Sequence, residues 1–248
     1  MLLHGYLSSK EAFAAQVRYF SKFFRVTAID FLGFGGSRCL TSAFSVDDYA
    51  DWTKEVLTLL NVEKPHVIAH SFGCRVAVKL ASREATFFDK ILLTGAAGVI
   101  LKRGFAYHAK VKAYRFVKKF APRFAERKFG SEEYRSLSPV MKESYKRIVN
   151  EDLRGCARKI ENEVLLVQGE GDTVTPIREV NAYLVCLNRG KLVTMPGGHF
   201  AFAEYLIYCL EVGMMPRVTE CSPLLRQWET SDFSVCRSSR HSCPKTPR

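Results

Sequence analysis

The chain has 248 residues, 47% of them hydrophobic and 25% charged, with a formal net charge of +12. This composition excludes wholesale disorder and the length excludes a large repeat array, leaving one domain or one domain with an insertion. No apolar run reaches the roughly 20 residues a membrane span needs, the first residues lack a signal-peptide layout and the eight cysteines form no CxxC pair, so the expectation is a cytoplasmic protein with reduced thiols.

Through the first half, short β-branched runs alternate with longer helical patterns, which is the mark of β-α-β units and a mostly parallel sheet. Residues 1–3 read as the end of a strand, and residues 10–23 as a helix with Phe13, Val17, Phe20 and Phe24 on one face. A strand follows at 25–30 (RVTAID), then a helix at 46–60 capped by Ser45, with Tyr49, Trp52, Val56 and Leu59 or Leu60 facing inward. Further strands are expected at 66–69 (HVIA) and 90–94 (KILLT). From 98 to 159 the strand signal stops, and helical spacing at Tyr107, Val111, Tyr114, Val117, Ala121 and Phe124, with basic residues between, predicts a helical insertion. Strands resume at 163–168 (EVLLVQ) and 191–195 (KLVTM), and 200–212 reads as a last helix. The expected organisation is therefore a core of residues 1–97 and 160–212, an insertion of 98–159, and a poorly ordered tail of 213–248, rich in Ser, Pro, Cys and Arg.

The strand HVIA runs into His70-Ser71-Phe72-Gly73 and then a helical pattern, giving small-x-Ser-x-Gly at a strand-to-helix turn. Small flanking residues let the backbone turn sharply enough to lift a serine hydroxyl above the sheet, and the following helix start aims N–H groups at developing negative charge. The plain alternative is a serine that only caps a helix. A nucleophilic serine needs a base and an acid that orients the base. Asp172 stands just past EVLLVQ and His199 just past KLVTM, each at the C-terminal end of a strand, where a parallel sheet gathers its ligand-binding residues. The order Ser, Asp, His is the one this chemistry takes on such a sheet.

With these motifs the chain resembles the α/β-hydrolase fold family of lipases, esterases and C–C hydrolases over residues 1–212. Leu2-Leu3-His4-Gly5 is similar to the family's HG oxyanion loop, and Asp30-Phe31-Leu32-Gly33-Phe34-Gly35-Gly36-Ser37 to its D-x-x-G-x-G-x-S turn. The resemblance implies an α/β fold with Ser71, Asp172 and His199 catalytic, an oxyanion hole from the backbone N–H groups of Tyr6 and Phe72, and a structural His4. It makes 98–159 a helical lid, with His70, Phe105 and Tyr107 as candidate pocket residues, His70 being at least as open to a supporting structural role. Relatives carry one or two strands and a hairpin before the HG loop, so the N-terminal edge strands are expected to be missing here. No acidic residue follows KILLT, which leaves Asp172 without a rival.

The implied activity is a serine hydrolase acting on a small or medium carboxylic ester, with no cofactor and no metal. A C–C bond hydrolase uses the same residues, and a non-catalytic ligand binder or an inactive truncated form is the reading from another class. The expected partner is a small-molecule ester. Nucleic acid is not expected, since only the charge suggests it, and no transmembrane span is expected. The basic residues of the insertion, among them Lys110, Arg115, Lys118 and Arg123, offer weak peripheral contact with acidic lipid head groups, against the commoner reading of a solvated face.

Overall fold

The computed structural model describes residues 1–101 and 132–206. Its six strands are β1 (Leu2–Leu3), β2 (Ala28–Ile29), β3 (Val67–His70), β4 (Ile91–Thr94), β5 (Val164–Gly169) and β6 (Gly190–Met195), in the order β2-β1-β3-β4-β5-β6. Every pair is parallel, with Leu3 opposite Ala69, Ile68 opposite Leu92 and Leu92 opposite Leu165. Helices α1 (Ala14–Phe20), α2 (Val46–Leu59), α3 (Phe72–Arg83), α4 (Glu132–Ser136), α5 (Pro139–Val149), α6 (Arg154–Ala157) and α7 (Ile177–Leu184) accompany the sheet, and a π-helical turn spans Phe202–Leu206. Among the described residues no helix is long and apolar enough to cross a membrane.

The apolar strands are continuous rather than alternating because both faces are covered. Leu3, Val67, Ala69, Ile91, Leu93, Val164 and Leu166 share one core with residues of α2, α3, α6 and α7. Leu2, Ile68, Leu92, Leu165, Val167 and Val193 point into the other, with Phe13, Phe20 and Phe202. Gln16 closes that second layer by donating from Nε2 to the Phe202 carbonyl at 2.9 Å.

Several boundaries differ from the sequence expectation. The helix expected over 10–23 divides into a 3₁₀ turn, Lys10–Phe13, and the shorter α1, because both the backbone N–H and Nζ of Lys10 are held by Asp30 at 2.7 Å. The strand expected over 25–30 narrows to two residues, matching the two that β1 offers it. In α2 the buried ridge is Val46, Tyr49, Ala50, Thr53 and Leu57, while Leu59 is 82% exposed. Helix α7 was not foreseen. The missing-edge expectation meets a sheet in which β1 is interior and β2 is the outer strand. Of the insertion expected over 98–159, residues 102–131 lie outside the described residues, and so do 207–248, including the expected tail.

The described end of the insertion is tied to α3. Buried Arg75 of α3 donates from Nη1 to the carbonyls of Ile148 (2.8 Å) and Glu151 (2.9 Å), at and just beyond the end of α5. Lys79 pairs with Glu151 and with Asp47.

Candidate functional site

The order of the sheet reverses between β1 and β3, since β2 lies to one side and the later strands to the other; such a point opens a crevice beyond the strands' C-terminal ends. Ser71 stands there, between β3 and α3. Its φ of 50° and ψ of −107° place a side-chain-bearing residue in a region that costs on the order of 1–3 kcal/mol. The plain capping alternative fails, because the Ser71 side chain makes no cap hydrogen bond. Its hydroxyl is left for other work.

Close packing holds this turn in place. A Cβ at Gly73 would lie 2.3 Å from the Leu3 carbonyl oxygen, so only glycine lets α3 start so near β1. A Cβ at Gly5 would lie 3.5 Å from Ser71 Cβ, which sets the loop after β1 beside the serine. Phe72 N–H is the first of α3 and has no intrahelical carbonyl to bond. Tyr6 follows Gly5, and its hydroxyl donates to the Met141 carbonyl at 3.1 Å.

His4 and Asp30 fix the two loops flanking this crevice. Phe31 N–H donates to His4 Nε2 (3.0 Å), so the proton sits on Nδ1 and is donated to the Gly5 carbonyl (2.7 Å). Burial lowers the pKa of His4, consistent with this neutral structural role. Asp30 accepts from Gly36 N–H (2.9 Å) as well as from Lys10. Burial alone would raise its pKa, but these donors outweigh it and bring the carboxyl to about 2. Gly35 has φ +52°, and a Cβ there would lie 2.4 Å from Asp30 Cγ, which accounts for the glycine in this turn.

Asp172 and His199 meet directly. His199 Nδ1 lies 2.8 Å from Asp172 Oδ2. Asp172 also accepts from Val174 N–H (2.8 Å), Thr175 N–H (3.0 Å), Thr175 Oγ1 (2.7 Å) and Gln168 Nε2 (3.0 Å). Its side chain is fully buried, which opposes ionisation, yet the bonds from His199 and Thr175 overcome this and hold the carboxyl well below the usual carboxylate range. An ionised Asp172 makes Nδ1 the protonated nitrogen of His199 and leaves Nε2 a free base. The loops after β5 and β6 come this close because they are glycine-lined: a Cβ at Gly169 would lie 2.2 Å from the Gly198 carbonyl oxygen. Thr175 and Gln168 escaped the sequence reading. Thr175 carried a faint signal, since an Asp followed by residues that bond back to its carboxylate forms an Asx-type turn. Gln168 carried none.

His70 links the two halves of the cluster. It immediately precedes Ser71, and its ring centroid is 4.7 Å from that of His199. Open in the sequence to a pocket or a supporting role, it is only 1% exposed, with its Nδ1 turned inward to Thr94. Among the described residues no hydrogen bond joins Ser71 to His199. Phe105 and Tyr107 lie outside the described residues.

Comparison with known proteins agrees with this architecture. A family profile described as "alpha/beta hydrolase fold" matches residues 1–152. The chain is similar to an (E)-2-((N-methylformamido)methylene)succinate hydrolase of Acinetobacter baylyi, at 34% identity over 73 residues, 29% of this chain and 28% of that one. The matches to this protein and to an Arabidopsis thaliana 1-acylglycerol-3-phosphate O-acyltransferase span 28% and 25% of those relatives' lengths. Among solved structures, a hydrolase from Pseudomonas aeruginosa PA01 aligns with a TM-score of 0.66 at 19% identity, covering 86% of this chain and 87% of that one. An esterase from Exiguobacterium antarcticum aligns with a TM-score of 0.64 at 20% identity, covering 85% and 90%. At such identities these two establish the fold alone.

Proposed function

The chain belongs to the alpha/beta hydrolase fold family, and on that premise we propose that it is a serine hydrolase of small or medium carboxylic esters. Ser71 Oγ attacks the acyl carbonyl as His199 Nε2 takes its proton. The charge that develops on the carbonyl oxygen is met by the N–H groups of Tyr6 and Phe72. His199 then returns the proton to the leaving alcohol, which departs and leaves an acyl-Ser71 ester. Water, deprotonated by the same nitrogen, attacks that ester, and the carboxylic acid leaves as Ser71 recovers its proton. Asp172 keeps the Nδ1–H tautomer and stabilises the imidazolium in both halves. In this reading the insertion supplies the lid, and its described part accepts at the Met141 carbonyl from the Tyr6 hydroxyl.

The observation that carries this reading is the backbone of Ser71, held at φ 50° with its hydroxyl used by no cap. A serine there for structure alone would be better replaced by glycine. The test is fluorophosphonate labelling with peptide mapping of the adduct, followed by hydrolysis of p-nitrophenyl acetate and butyrate. The expected result is an adduct on Ser71 that is absent from folded Ser71→Ala and His199→Ala proteins. A folded parent that never labels refutes the proposal.

A further inference from the structure

We propose that His70 is a positioning residue, its ring forming the wall against which the His199 imidazole is held facing Ser71. This rests on the reading of Ser71 as nucleophile and His199 as base.

The hydrogen bond from Nδ1 to Asp172 fixes one edge of the His199 ring but does not by itself stop the ring from tilting about that bond. The surroundings supply the restraint. Gly95 has φ +51°, and a Cβ there would lie 2.9 Å from His199 Cε1 and 3.2 Å from His70 Cε1, so this bare backbone makes room for two imidazoles side by side. His70 occupies one of these places, its ring tilted 53° to that of His199. Phe200 stands edge-on to His199 at 5.5 Å.

A wall must itself be rigid, and His70 is fastened on every side. Its Nδ1 lies 2.9 Å from Thr94 Oγ1 and 3.2 Å from the Thr94 carbonyl oxygen at the end of β4. Its ring packs on Phe202 at 4.5 Å and Phe200 at 5.0 Å, and the absent Cβ of Gly5 leaves space for Cδ2. Its Nε2 is buried as well. A residue wholly enclosed between the serine turn and the base is placed to transmit shape.

Charge favours the same role. The titratable groups facing His70 are His199, Asp172 and His4, and burial, followed by the repulsion of His199, lowers its pKa to about 3. His70 therefore stays neutral while His199 takes up a proton beside it.

Two substitutions separate ring from hydrogen bond. His70→Phe keeps the flat wall and gives up Thr94, whereas His70→Asn keeps a polar atom for Thr94 and removes the wall. The readouts are the low-field Nδ1–H proton signal of His199, assigned by its loss in His199→Gln, and the fluorophosphonate labelling rate per folded molecule. We expect His70→Phe to keep the signal and label close to the parent rate, and His70→Asn to lose the signal by exchange and label about tenfold to a hundredfold more slowly. Folded His70→Asn that keeps both, or folded His70→Phe that loses both, overturns the proposal. If neither variant folds, ring-to-ring cross-relaxation between His70 and His199 in the parent decides, and its absence overturns the proposal. A parent that shows the His70-dependent signal but never labels leaves the positioning intact and refutes the serine reading instead.

Discussion

Replacing Ser71 with glycine should make the protein more stable while removing the group it is proposed to use. At φ 50° and ψ −107° a Cβ costs on the order of 1–3 kcal/mol, and glycine is free of that cost. Against this stands about 0.5–1 kcal/mol for the extra freedom glycine gives the unfolded chain. The balance is a gain of about 0–2.5 kcal/mol, or up to about 10 °C in Tm for a domain of this size. Ser71→Ala is the control, since it removes the hydroxyl and keeps the strained Cβ. Thermal melts followed by circular dichroism at one scan rate should rank Ser71→Gly above Ser71→Ala, with Ser71→Ala near the parent. If Ser71→Gly melts at or below Ser71→Ala, the turn holds no strain and the argument for a poised serine fails.

Thr175→Val keeps the shape of the side chain but takes one of five donors from Asp172; a bond to a charged group is worth about 1.5–3 kcal/mol. Stability by urea titration and the labelling rate of Ser71 should share that loss, and an unchanged variant would show that Thr175 does not hold the carboxylate. Asp30, at about 2 when folded against an ordinary 3.8, contributes stability that is present above the ordinary value and lost as pH falls toward 2. Lys10→Met should therefore melt lower than the parent at pH 6 and converge with it near pH 2; a gap that persists at pH 2 would assign the effect to packing.

Where local chemistry decided a structure, the residues announced it. The run from Val67 to Gly73 was legible because three apolar residues lead to a serine with a small residue two positions away on either side, and Gly73 has its steric task against the backbone at Leu3. Asp172 and His199 were legible by their place after strands. Residues whose meaning depends on distant partners were not. Gln168 ends an apolar strand and looks like its polar terminus until the loop carrying Asp172 folds back over it. Helix α7, which buries Val180 and Tyr183, was hidden because a run of eight residues holds barely two turns of periodicity. The extent of β2 depended on how much partner β1 offers, a property of the pair. His70 read as a pocket or a supporting residue from its place beside Ser71, and the position of Thr94 turns it inward.

The parallel ladder also orders events in time. Ser71 follows β3 while Asp172 and His199 follow β5 and β6, with β4 between them. Parallel neighbours cannot form from a simple hairpin; β4 and β5 zip together only after the chain from Thr94 to Val164 has doubled back, and such non-local closure is slow. Helical signal can return early, from segments that need no distant partner. The cluster around Ser71 cannot, because Asp172 and His199 come near the serine only once the long-range pairing of β4 with β5 is made.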